Sequence, residues 1–159
     1  MSDAADLLSD LHDARAELLA ALEDITQEQL VRRPSGEITD GEERWPVRDV
    51  LWHVGLYEDW LRRTIDQGLG GRPVAAFDAR SRPAHLNTPA LLREWLDQSR
   101  RPTEVLLQRL HDADLDREFD VPGRGPRRPR ALLSGLARHD RQHAEQVRAL
   151  RALPPPDEC

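Results

Sequence analysis

The chain has 159 residues, 38% hydrophobic and 33% charged, with a formal net charge of −6 and one cysteine, at the last position. That length suits a single domain with one sizeable core, and the negative balance argues against nucleic-acid binding, which draws its affinity from neutralised phosphates. Cys159 leaves no internal disulfide, the acidic N-terminal stretch does not read as a signal peptide, and no apolar run approaches the roughly 18 residues a membrane span requires; the expectation is a cytoplasmic protein with neither membrane nor nucleic acid as partner.

A first helix is predicted from Asp3 to about Ile25, because Leu7, Leu8, Leu11, Ala14, Leu18, Leu22 and Ile25 recur at the three- and four-residue steps of one helical face. A polar connection from Thr26 to Arg44 follows, with Pro34, Ser35 and Gly36 as breakers. The second helix opens at WPVRDV, where Pro46 suits the first turn. Its inward stripe is read as Val50, His53, Leu56 or Tyr57, Trp60 and Thr64, and Gly68, Gly70 and Gly71 end it.

An irregular stretch from Leu69 to Asn87 leads to Thr88, which is suited to cap a third helix starting at Pro89. Leu92, Trp95, Leu96, Ser99, Leu106, Leu107 and Leu110 form its apolar face, and Pro102 inside the pattern predicts a kink near Ser99. The connection from His111 to Pro129 contains VPGRGPRRP, read as irregular. A fourth helix runs from Arg130 to Arg151 with the stripe Leu132, Leu133, Leu136, His139, His143, Val147 and Leu150. The fold class is therefore an all-α four-helix bundle with long crossover connections, spanning residues 1–151, with 152–159 as a mobile tail that makes Cys159 inert.

Six histidines separate by position. His12 falls on a polar face, His85 in a connection and His111 beyond the third helix, and these read as ordinary. His53, His139 and His143 lie within apolar stripes, where an imidazole needs a partner or costs about 1–3 kcal/mol. His139 and His143 are spaced i, i+4, which puts both rings on one helix face about 6 Å apart along the axis, able to converge on one ion. A third inward histidine on another helix makes a divalent metal site the natural reading.

The combination W-P-V-R-D-V-L-W-H53 and, far downstream, H139-D-R-Q-H143-A-E-Q resembles the DinB-like superfamily of metal-binding bundles, over nearly the whole chain. The resemblance implies an up-down-down-up bundle, frequent homodimers, and His53, His139 and His143 as ligands for zinc, nickel, manganese or iron. It also implies metal-dependent transfer of a low-molecular-weight thiol, such as mycothiol or bacillithiol, to a small-molecule substrate.

Three imidazoles leave at least one coordination position open, where bound water or thiol loses its proton more easily. Asp49, one turn before His53, and Gln146, close to one turn beyond His143, are placed to orient imidazole N–H groups, and Tyr57 is placed to donate to a bound ligand. The cluster Arg124, Arg127, Arg128 and Arg130 reads either as a solvated crossover or as a clamp for carboxylates. A thiol transferase or a hydrolase is the expected activity; the alternative is a non-catalytic bundle whose metal is structural or sensory.

Overall fold

Each long helix begins where the chain offers a start. Asp3 accepts from the Asp6 N–H and Thr88 from the Leu91 N–H, while Pro89 and Pro129 occupy first-turn positions that need no donor. In the computed structural model, which describes residues 3–34 and 44–155, the elements are α1 Ala4–Ala21, α2 Gln27–Val31, α3 Val47–Leu69, α4 Pro89–Arg109, α5 Asp112–Leu115, β1 Phe119–Val121, β2 Gly125–Arg127 and α6 Pro129–Arg151.

Side-chain pairs fix the directions of the four long helices. Asp10 meets Arg141 and the Ala21 carbonyl meets Arg151, so α1 and α6 run parallel. Arg48 meets Asn87 just ahead of α4, Trp52 meets Trp95 and Glu58 meets Arg100, so α3 and α4 are parallel too. Arg15 reaches Leu96 while Arg100 reaches Leu11, which makes the two pairs antiparallel. This is the up-down-down-up bundle, and its parallel α3–α4 pair is why the chain needs the long connection between them. Gly55 lets that pair approach: a Cβ there would lie 2.2 Å from the Trp95 Nε1.

The core is in two apolar clusters with a charged layer between them. Leu18, Leu22, Val50, Val54, Leu92, Leu96 and Val147 belong to one cluster, and Leu7, Leu11, Leu61, Ile65, Leu106, Leu133 and Leu136 to the other. Between them each long helix contributes one buried ion: Arg15 from α1, Glu58 from α3, Arg100 from α4 and Asp140 from α6. Arg15 donates to Asp140 at 2.9 Å and to Glu58 at 2.6 Å; Arg100 donates to Glu58 at 2.7 Å and to Asp140 at 2.9 Å. Both guanidiniums also reach a main-chain carbonyl at 2.7 Å, so two cations and two anions close into a neutral, hydrogen-bonded square. Buried charge is tolerable only in such geometry.

Four local expectations are corrected. The first helix stops at Ala21 rather than Ile25, because Asp24 adopts a positive φ of 55° and Thr26 caps the next element. That element, α2, lies inside the predicted connection and is held by a reciprocal capping box between Thr26 and Gln29. The VPGRGPRRP stretch is not irregular throughout: β1 and β2 pair antiparallel around a turn with Gly123 and Gly125 at positive φ. Of the predicted α3 stripe, Val50, Leu56 and Thr64 are buried, together with Val54, Glu58, Leu61 and Ile65, while His53, Tyr57 and Trp60 lie along its edge, half-buried. α4 runs unbroken through Pro102, with the Ser99 hydroxyl bonding the Trp95 and Leu96 carbonyls. Ser35, Gly36 and Cys159 lie outside the described residues.

Candidate metal centre

His53 projects from the edge of α3, and His139 and His143 from one face of α6. The antiparallel crossing of these helices brings them together: the Nε2 atoms of His53 and His143 each lie 3.1 Å from that of His139. Two nitrogens on one tetrahedral ion at about 2.0–2.1 Å stand roughly 3.3 Å apart, so the spacing fits a shared cation. It fits protons poorly. A neutral imidazole nitrogen either carries a hydrogen or offers one lone pair, and the His139 Nε2 cannot bond well to both neighbours at once.

Both shifted imidazoles are held neutral. Burial pushes the His139 pKa down to about 2, reinforced by the charges of His143, His53, Arg124 and Arg15. Burial, then the charge of His143, lowers that of His53 to about 4. Neutral imidazole is the form that ligates a metal.

The surroundings set the ring orientations. Gln146 Oε1 lies 2.7 Å from the His143 Nδ1; an amide oxygen only accepts, so this nitrogen carries the hydrogen and the Nε2 lone pair faces its neighbours. The Tyr57 ring stacks on His139 at 4.2 Å, which holds that ring although its Nδ1 is buried without a partner. Asp49 does not turn to His53; it pairs with Arg82 at 2.9 Å. His12 pairs with Glu104 at the surface, and His85 and His111 are exposed.

The three rings line a pocket of about 860 Å³ whose walls also include Tyr57, Phe77, Arg124, Gln142 and Gln146. Of the predicted basic cluster, Arg124 alone lines this pocket. It lies beside the hairpin turn, donates to the Tyr57 hydroxyl at 2.8 Å, and its guanidinium carbon is 5.0 Å from the Trp60 ring centre. Arg128 faces Glu118 and Arg130 pairs with Asp116, as a solvated crossover would. Sequence reasoning missed Phe77, which meets the His53 ring edge-on at 5.9 Å from the α3–α4 connection, and Trp45, 5.1 Å from the same ring.

The family described as the DinB superfamily matches residues 10–147. No curated protein matches the sequence. Among solved structures, the colibactin self-resistance protein ClbS, in complex with double-stranded DNA, superposes with a TM-score of 0.72 at 12% identity, covering 98% of this chain and 99% of that one. A conserved protein from Enterococcus faecalis superposes at 0.66 with 15% identity, covering 95% and 96%. These likenesses share the fold. The exclusion of nucleic acid is thereby corrected, since a protein of this fold is seen holding a duplex. The physical reason is that a net charge of −6 sums over the whole chain and is blind to local basic surfaces. Among the described residues, no helix is long and apolar enough to cross a membrane.

Proposed function

We propose, for a chain that belongs to the DinB superfamily, that His53, His139 and His143 hold one divalent ion (zinc, nickel, manganese or iron) and that the protein is a metal-dependent transferase or hydrolase for a small electrophile, with an external low-molecular-weight thiol as the favoured nucleophile. The observation that carries this reading is the convergence of three imidazole nitrogens on the wall of an open pocket. A structural ion is normally closed off by four protein ligands, whereas here three donors face a cavity.

When bound, the ion supplies Lewis acidity that makes a thiol or water in its open position easier to deprotonate. The chain's own residues do the rest. Burial keeps His53 and His139 neutral at pH 7, and Gln146 fixes the tautomer of His143. Tyr57 accepts its hydrogen bond from Arg124, so its own hydrogen is left to donate to the occupant of the pocket. No cysteine, serine, threonine or carboxylate lines the pocket among the described residues. The attacking atom therefore comes from solvent or a second substrate.

The test is thiol-dependent consumption of a fluorogenic electrophile such as monochlorobimane by metal-loaded wild type and by His53→Ala. A rate above the uncatalysed reaction, lost in the variant, supports the reading. Metal-loaded protein that accelerates neither thiol addition nor hydrolysis across a panel of electrophiles would leave a metal-binding bundle without catalysis.

A second reading is a duplex-DNA partner, taken from the complex in which ClbS was solved. Exposed Arg124, Arg127 and Arg128 are the side chains on the hairpin that would meet phosphates. Retardation of a labelled duplex that weakens steeply with salt would support it; no retardation at low salt would remove it.

A further inference from the structure

A second cavity, of about 510 Å³, shares His53 with the first. Among the described residues, five arginines line it (Arg33, Arg44, Arg48, Arg80 and Arg82) against one carboxylate, Asp49. That local balance is the reverse of the chain's, in which acidic residues outnumber basic ones 29 to 23.

The lone carboxylate is already engaged. Asp49 accepts from Arg82 at 2.9 Å and lies 3.9 Å from the Arg48 Nε. Arg48 donates to Asn87 at 2.6 Å, yet its Nε is buried with no hydrogen-bond partner. The side chains of Arg33, Arg44 and Arg80 make no hydrogen bond or ion pair among the described residues.

Two further features point the same way. The cavity wall includes Pro46, the N-cap of the 23-residue helix α3, and no side chain caps that end. The positive end of the α3 dipole thus borders the cavity and adds to the arginines. Trp45 and Trp52 provide flat apolar walls, and Trp52 is fixed by stacking on Trp95 and by donating to the Arg80 carbonyl at 2.7 Å. The backbone that carries Arg80 is thereby tied to the cavity.

We propose that this cavity binds a small molecule carrying a multivalent oxyanion, phosphate or carboxylate, held by Arg44, Arg48 and Arg80 at the N-terminus of α3. Guanidinium forks suit such oxyanions. A concave site of about 510 Å³ is of a size that takes a small molecule. The inference does not depend on a metal at the three histidines.

The experiment is calorimetric titration of the full-length protein with pyrophosphate as the probe. Saturable binding is expected in wild type, weakened about tenfold or more in Arg44→Ala/Arg80→Ala and unchanged in His139→Ala/His143→Ala. Arg33→Ala, an exposed change, should give a smaller loss in the same direction. No saturable binding, or equal binding in the arginine variants, overturns the proposal. Loss of binding in the histidine variant also overturns it, because the probe would then be reporting the metal centre. A short duplex that binds as tightly as pyrophosphate and is lost in the same arginine variants would reassign these side chains to nucleic acid and overturn the small-molecule site.

Discussion

Replacing Glu58 by glutamine tests whether the charged square in the core is a dry, closed network. Glu58 is fully buried and accepts from Arg15 at 2.6 Å and from Arg100 at 2.7 Å. Glu58→Gln keeps the shape but leaves two guanidiniums facing one carboxylate, Asp140, with one positive charge uncompensated. Removing one partner from a buried pair costs about 3–5 kcal/mol, which for a chain of this length corresponds to a fall in Tm of about 6–20 °C. Urea titration followed by circular dichroism at 222 nm, with a thermal melt alongside, measures it. A loss below about 1 kcal/mol would refute the reasoning, because it would mean that water or rearrangement satisfies Arg15 and Arg100. Converting all four ions together to apolar residues of similar volume should instead be neutral or stabilising.

Further outcomes follow from single contacts. Gly55→Ala should destabilise by about 1–3 kcal/mol, since overpacking against Trp95 outweighs the gain of up to about 1 kcal/mol in helix propensity; a variant as stable as wild type in a thermal melt would contradict this. Gln146→Leu removes the acceptor of the His143 Nδ1 and should weaken zinc binding about 10- to 100-fold in a chelator competition, so unchanged affinity would speak against its orienting role. In the chelated protein, His53 and His139 have folded pKa values of about 4 and about 2, below the ordinary 6.5, so the unfolded chain takes up protons first as pH falls. The stability these two contribute is present above pH 6.5 and is lost progressively as pH falls, through about 4 for His53 and on toward about 2 for His139. The advantage of wild type over His53→Ala/His139→Ala in urea midpoint should therefore shrink from pH 7 to pH 5, and an advantage that grows would reverse the sign.

What could be read from the sequence was what one helix decides alone. His139 and His143 share a face because both sit on α6, and His53 stood out as an imidazole among the apolar positions of α3, so all three were legible although His53 lies at the edge of that helix and not on its inward stripe. The network was not, although its positions carried a signal: Arg15 lies between Leu11 and Leu18, Glu58 between Val54 and Leu61, and Arg100 between Leu96 and Leu107, each a charge where the apolar stripe continues. Periodicity marks such a residue as odd without saying which ion on another helix answers it. Glu58 fell outside the predicted stripe, which ran through Tyr57 and Trp60; the fold keeps Trp60 at the edge, where its indole N–H donates to the Ala75 carbonyl. α2 spans five residues, too few for a period, and the β1–β2 strands span three each, so turn and cap chemistry were the available signs. The pairing of Asp49 with Arg82 depends on the path of the α3–α4 connection, which local pattern does not specify.

The central claim rests on the ion itself. Elemental analysis by inductively coupled plasma mass spectrometry, on protein purified without an affinity tag, should find close to one divalent metal per chain in wild type and almost none in His139→Ala/His143→Ala. Wild-type protein that carries no metal and takes up neither zinc, nickel, manganese nor iron on incubation would contradict the account, and the three converging imidazoles would then be packing residues.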